Sequence, residues 1–86
     1  MKINFSKSFI KKSSKLIQKN PQLEKSLVKQ ISLFKKNSKY PSLRLHKLKG
    51  QRSDQLTIWI EDDLRALCIQ SHDEYVFFDL VKHDQY

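Results

Sequence analysis

Residues 56–82 read LTIWIEDDLRALCIQSHDEYVFFDLVK, and this stretch decides the fold. Leu56, Ile58 and Ile60 alternate with Thr57 and Trp59, a period of two that belongs to a half-buried strand. The acidic turn Glu61-Asp62-Asp63 follows, then a run over 64–70, then a polar turn over 71–74, then a last run over 75–82. Short β-rich runs joined by tight polar turns predict an antiparallel meander. Register follows from the need to bury one face. Pairing Ile60 with Leu64 sets Ile58 against Ala66 and Leu56 against Cys68. Pairing Ser71 with Tyr75 sets Cys68 against Phe78, Ala66 against Leu80 and Arg65 against Val81. The even positions then form the buried face, and Thr57, Trp59, Arg65, Phe77, Asp79 and His83 share the other.

Working outward from this stretch, Leu43 and Leu45 alternate with Arg44 and His46, which extends the strand region back to Ser42. Lys47-Leu48-Lys49-Gly50 then leads into a polar loop. Upstream the period changes. Leu23, Leu27, Ile31 and Phe34 recur at helical spacing over 21–36, widened by Val28, with Asn20 as the expected N-cap and Pro21 in the first turn. A first helix runs from the cap Ser6 to about Lys19, with Phe9, Ile10, Leu16 and Ile17 on one side. Lys2-Ile3-Asn4-Phe5 alternates as a short opening strand, and Tyr40-Pro41 closes the helical region. The prediction is α+β, in the order β-α-α-β-β-β-β. Two helices pack on one face of a small, mainly antiparallel twisted sheet, all within a single domain over residues 1–86.

The charge is strongly divided. Residues 1–52 carry fifteen of the seventeen Lys and Arg against one acid, Glu24, a net +14. Residues 53–86 carry Arg65 and Lys82 against eight acids, a net −6, and the whole chain is +8. An electropositive half of this strength attracts polyanions, so nucleic acid is the leading partner. Membrane binding is not expected, because neither helix sets its lysines beside an apolar face left free of the core. One cysteine, Cys68, excludes a disulfide framework and a cysteine-rich zinc site, and suits a reducing, cytoplasmic setting. One glycine, Gly50, excludes glycine-rich phosphate loops. No cofactor and no metal is expected.

The free face of the sheet collects an arginine, a histidine and an indole, bordered by the basic segment 44–52. Cleavage of RNA requires a base for the 2′-hydroxyl, cations for the charge on the phosphorane, and an acid for the leaving 5′-oxygen. His46 and His83 suit either proton-transfer role, and Arg65 suits the phosphate. Arg44, Lys47, Lys49 and Arg52 are expected to hold the backbone, and Trp59 to stack an unpaired base. Asp84 can orient the neighbouring imidazole of His83. Plainer readings stand beside these. Arg65 can answer Asp63 or Asp79 structurally, Trp59 can pack on Phe77, Asp84 can be a solvated acid of the tail, and His72 is a solvated turn residue.

Taken together, Leu45-His46-Lys47-Leu48-Lys49-Gly50, Leu64-Arg65 and the terminal His83-Asp84 resemble the RelE/ParE superfamily, toxins of bacterial type II toxin–antitoxin modules. Within it the chain is most similar to RelE- and YafQ-like mRNA interferases. The resemblance implies a two-helix, small-sheet fold, cleavage of mRNA on the ribosome, and neutralisation by a cognate antitoxin. The toxin itself is then a monomer within a hetero-oligomer. Position by position, it carries catalytic roles to His46, Arg65, His83, Asp84 and Tyr86. The chain departs from the pattern in having only Gln85 between Asp84 and Tyr86, and Val81-Lys82 where small residues often precede the histidine. Two further possibilities remain: a ParE-like gyrase inhibitor without nuclease activity, and a non-catalytic basic RNA-binding domain.

Overall fold

The computed structural model describes residues 2–50 and 54–82. The meander is present. β3 (Gln55–Glu61), β4 (Leu64–Ser71) and β5 (Glu74–Lys82) pair antiparallel in sequence, and the two-residue β2 (His46–Lys47) pairs antiparallel with β3. The opening strand β1 (Lys2–Phe5) runs parallel to β5 at the far edge, giving the order β1-β5-β4-β3-β2. The predicted fold class and element order are those observed.

The register agrees with the hydrophobic argument at Leu56–Cys68, Ile58–Ala66, Ala66–Leu80 and Arg65–Val81, and departs from it at two irregularities. Between β3 and β4 the ladder shifts after Trp59, so Glu61 rather than Ile60 stands opposite Leu64. The turn is thereby shortened to Asp62-Asp63, with Asp62 at φ 48°. Between β4 and β5 a bulge follows Leu67, and Cys68 stands opposite Phe77 instead of Phe78. An extra residue in one strand exchanges the faces of everything beyond it. Phe77, expected on the free face, is therefore fully buried under the helices, and Phe78 packs on the other side.

α1 (Lys7–Lys19) starts where Ser6 caps it, its hydroxyl accepting from the Phe9 N–H at 3.1 Å. α2 (Leu23–Lys36) starts two residues later than Asn20-Pro21 implied, and no side chain caps it. The main chain closes the junction itself, through bonds from Leu23 to Asn20 and from Glu24 to Pro21. The Asn20 amide instead donates to Glu61 at the end of β3, at 3.4 Å. Glu24 in the first turn of α2 and Lys35 and Lys36 in the last complement the helix dipole. Leu23, Leu27 and Phe34 are buried as the pattern required, but the stripe is completed by Gln30, which is 2% exposed, while Val28 points outward. Residues 42–45 are not the strand their alternation suggested. Pro41–Leu43 form a 3-10 turn, and Arg44 at φ 48°, ψ 47° reverses the chain, so pairing begins only at His46.

The main core lies between the helices and the sheet. Phe34 meets Tyr75 and Phe77 edge-on, at 5.0 and 5.6 Å between centroids, and Phe5, Phe9 and Phe77 stack together at 5.5–5.9 Å. Such pairs add about 0.5–1.5 kcal/mol each beyond the burial of their area. A smaller cluster of Leu48, Leu67, Val81 and Phe78 lies on the opposite face of the sheet. No helix among the described residues is long and apolar enough to cross a membrane. The helices do not hide all their apolar surface, contrary to expectation. Ile10 and Val28 are 53% and 61% exposed, and with Phe5, Ile17 and Ile31 they line a groove of about 370 Å³ between α1 and α2.

Candidate functional site

The alternation of β3 and β4 sends Thr57, Trp59, Arg65 and Leu67 to the face away from the helices. The pairing sets Trp59 directly opposite Arg65, and Arg65 opposite Val81. β2 brings His46 opposite Thr57, on the same face. Two rows result. Trp59, Arg65 and Val81 form one, extended by Arg44, whose guanidinium lies 4.8 Å above the Trp59 ring. His46, Thr57 and Leu67 form the other. His46 and Arg65 are separated by two strand spacings and one row, roughly 12 Å between Cα atoms, near enough for two long side chains to flank one phosphodiester.

The middle of this face is not bare. Leu48 packs over Leu67 and Val81, and Thr57 and Leu67 are 1% and 0% exposed. The polar groups therefore stand around an apolar floor, which excludes water beneath them and strengthens their interaction with charge.

Arg65 is half-buried, and its guanidinium donates to its neighbour's carbonyl, that of Leu64, at 3.4 Å. Asp79, one of the acids it might have answered, is taken by Lys12 of α1 at 2.9 Å. Among the described residues Arg65 has no ion pair, so its charge is available to an anion from outside. Trp59 does not pack on Phe77, which the bulge has moved to the other face. Its indole N–H donates to the Asp62 carbonyl at 2.8 Å, and Arg44 covers a ring face. Trp59 is thus already stacked, where an open platform for a base was expected.

Lys47, opposite Leu56, lies on the alternate side of β2 from His46, and His72 sits exposed in the β4–β5 turn. Lys49 is exposed at the rim beside Gly50, whose φ of 73° favours a residue without Cβ. Arg52, His83, Asp84 and Tyr86 lie outside the described residues. Among the described residues, no group of three or more His, Cys, Asp or Glu is placed to hold a metal ion.

One residue important to this site went unread in the sequence. Gln30 donates from Nε2 to both the Trp59 carbonyl, at 2.9 Å, and the Ser42 carbonyl, at 3.2 Å, tying α2 to the strand and the turn that carry the indole and Arg44. The signal was its place between Leu27 and Phe34, at spacings of three and four.

Solved structures of similar fold include several toxins. A copper-bound mutant toxin from Helicobacter pylori is similar with a TM-score of 0.75 at 25% identity, covering 99% of this chain and 97% of that one. The YoeB/ParE toxin from Agrobacterium tumefaciens gives 0.79 at 14% identity, covering 96% and 99%. A chain of the E. coli DinJ-YafQ toxin–antitoxin complex gives 0.69 at 21%, covering 95% and 91%. No protein-family model and no curated protein sequence matches the chain.

Proposed function

We propose that this chain, by its fold a member of the RelE/ParE toxin superfamily, is the toxin of a type II toxin–antitoxin pair. It acts in the cytoplasm as an endoribonuclease on mRNA at the ribosome. The observation that carries the reading is Arg65: half-buried above an apolar floor, across from Trp59, and without an ion pair among the described residues. A charge held in this way is suited to the dianionic phosphorane of in-line attack by a 2′-hydroxyl. His46 on the same face, and His83, two positions beyond Val81 in the sequence, are the proton-transfer pair. One takes the 2′-hydroxyl proton and the other protonates the departing 5′-oxygen. Asp84 orients the imidazole of His83, and Tyr86 is a further donor to the phosphate. Arg44, Lys49 and Arg52 hold the flanking backbone.

The antitoxin is the second partner. The α1–α2 groove offers it an apolar seat lined by Phe5, Ile10 and Val28, with Glu24 also in the lining, and the two helices that form it are rich in lysine overall. An acidic amphipathic helix, anchored by residues three and four apart, fits this combination of shape and charge. Its binding stabilises the toxin by mass action.

Induced expression of the chain is expected to arrest growth and shorten translated mRNAs, with His83→Ala abolishing both. Full toxicity of His83→Ala removes that residue from the mechanism. Arrest with intact mRNA and lost DNA supercoiling replaces the nuclease reading with gyrase inhibition.

A further inference from the structure

Arg44 is held by more structure than a surface arginine needs. It follows the 3-10 turn Pro41–Leu43 and adopts the left-handed backbone region, φ 48° and ψ 47°, which a residue with a Cβ rarely occupies. That conformation turns its side chain back over Trp59, with the guanidinium carbon 4.8 Å from the ring centroid. The indole is itself fixed, through its N–H to the Asp62 carbonyl at 2.8 Å. Gln30, buried beneath, bonds the main chain of both supports, Ser42 and Trp59. Among the described residues no carboxylate pairs with Arg44, and the residue is exposed.

A guanidinium carries all its N–H groups in its plane and none on its faces. Held over the indole face, it engages the ring through its charge and spends none of its five N–H donors on it. Its rotamer freedom is also lost before any ligand arrives, which removes a cost that a free arginine meets on binding. We propose that Arg44 is a preset clamp for a phosphate of single-stranded RNA, and that Trp59 is the positioning residue that holds it in place, in contrast to a surface on which bases stack. The proposal rests on the RNA-binding part of the function above, but not on catalysis.

The two roles of Trp59 separate by salt dependence. Each phosphate neutralised on a single strand contributes about −0.7 to the slope of log K against log salt. Stacking of a base on an indole contributes to affinity with no such slope. The probe is a fluorescent single-stranded oligonucleotide of 2′-O-methyl uridine, which lacks the attacking hydroxyl and is not cut, titrated at several salt concentrations.

Arg44→Ala is expected to reduce the slope by about 0.7. Trp59→Leu, which removes no charge, is expected to reduce it by a similar amount, and the double variant to add nothing further. Trp59→Phe, which keeps a ring face, is expected to recover part of the slope. Arg44→Gly suits the left-handed backbone, so it is expected to lose the slope while keeping the melting temperature, which separates the clamp from folding.

The proposal is overturned if Trp59→Leu weakens binding equally at all salt concentrations, or if its effect persists undiminished without Arg44. It is also overturned if Arg44→Ala leaves the slope unchanged. Absence of salt-dependent binding by the unaltered chain overturns the RNA-binding reading as well. Loss of the coupling with cleavage intact overturns the clamp alone.

Discussion

The side-chain amide of Gln30 commits its N–H groups to two main-chain carbonyls, on elements far apart in sequence. Its replacement by leucine keeps the volume and the helical propensity but leaves both carbonyls short of a donor. Gln30→Leu is expected to cost about 1–3 kcal/mol in denaturant unfolding, more than an apolar-for-polar exchange on a buried helix face would suggest. Cys68 makes a second residue-level prediction. Burial pushes its thiol up to about 12 from the ordinary 9.0. The folded chain therefore keeps a proton that the unfolded chain releases above pH 9. Stability from this group is fully present below about pH 9 and falls by up to about 1.4 kcal/mol per pH unit as the pH rises towards 12. Cys68→Ala is expected to flatten that alkaline limb in unfolding curves taken across pH 8–11. The same burial leaves the native thiol inert to alkylation.

At the scale of elements, the bulge in β5 makes the sharpest prediction. Phe77 is fully buried against Phe9 and Phe34, whereas Phe78 is half-buried on the other face beside Leu67 and Val81. Phe77→Ala is expected to cost about 3–5 kcal/mol, enough to leave a domain of this size largely unfolded, and Phe78→Ala markedly less; unbroken alternation requires the reverse order. This is also where reading from sequence stops. The strands were legible because Leu56, Ile58 and Ile60 alternate with polar residues, and the helices because Leu23, Leu27 and Phe34 repeat at helical spacing. A pair of adjacent phenylalanines suits either face, so nothing local says which of them the ladder skips. The start of α2 was misread because Asn20-Pro21 fits a capped helix as well as it fits a main-chain turn. Residues 42–45 alternate like a strand, but a non-glycine residue in the left-handed region leaves no mark in the sequence. Of the candidate site, the facing of Trp59 and Arg65 was legible from register. The stacking of Arg44 on the indole depends on that hidden backbone turn and was not.

Across the whole molecule, the chemistry and the assembly proposed above fall on different sides of one sheet. The helices bury one face and leave between them an apolar groove whose polar lining is Ser13, Glu24 and Ser32. The other face holds Arg44, Trp59, Arg65 and His46 around the floor of Leu48, Leu67 and Val81. An antitoxin helix seated in the groove, as proposed, need not touch the proposed catalytic groups, and Ile10→Glu or Val28→Glu is expected to weaken the complex without lowering toxicity. Cleavage of the kind proposed, by Arg65 and histidines through the RNA's own 2′-hydroxyl, leaves its mark on the ends of the products. Transcripts translated in a purified system containing the chain are to be mapped for the chemistry at each new 3′ end. The expected ends are 2′,3′-cyclic phosphates, formed about a hundredfold more slowly with Arg65→Ala. Unphosphorylated 3′-hydroxyl ends, or cleavage undiminished by Arg65→Ala, would contradict the proposed mechanism.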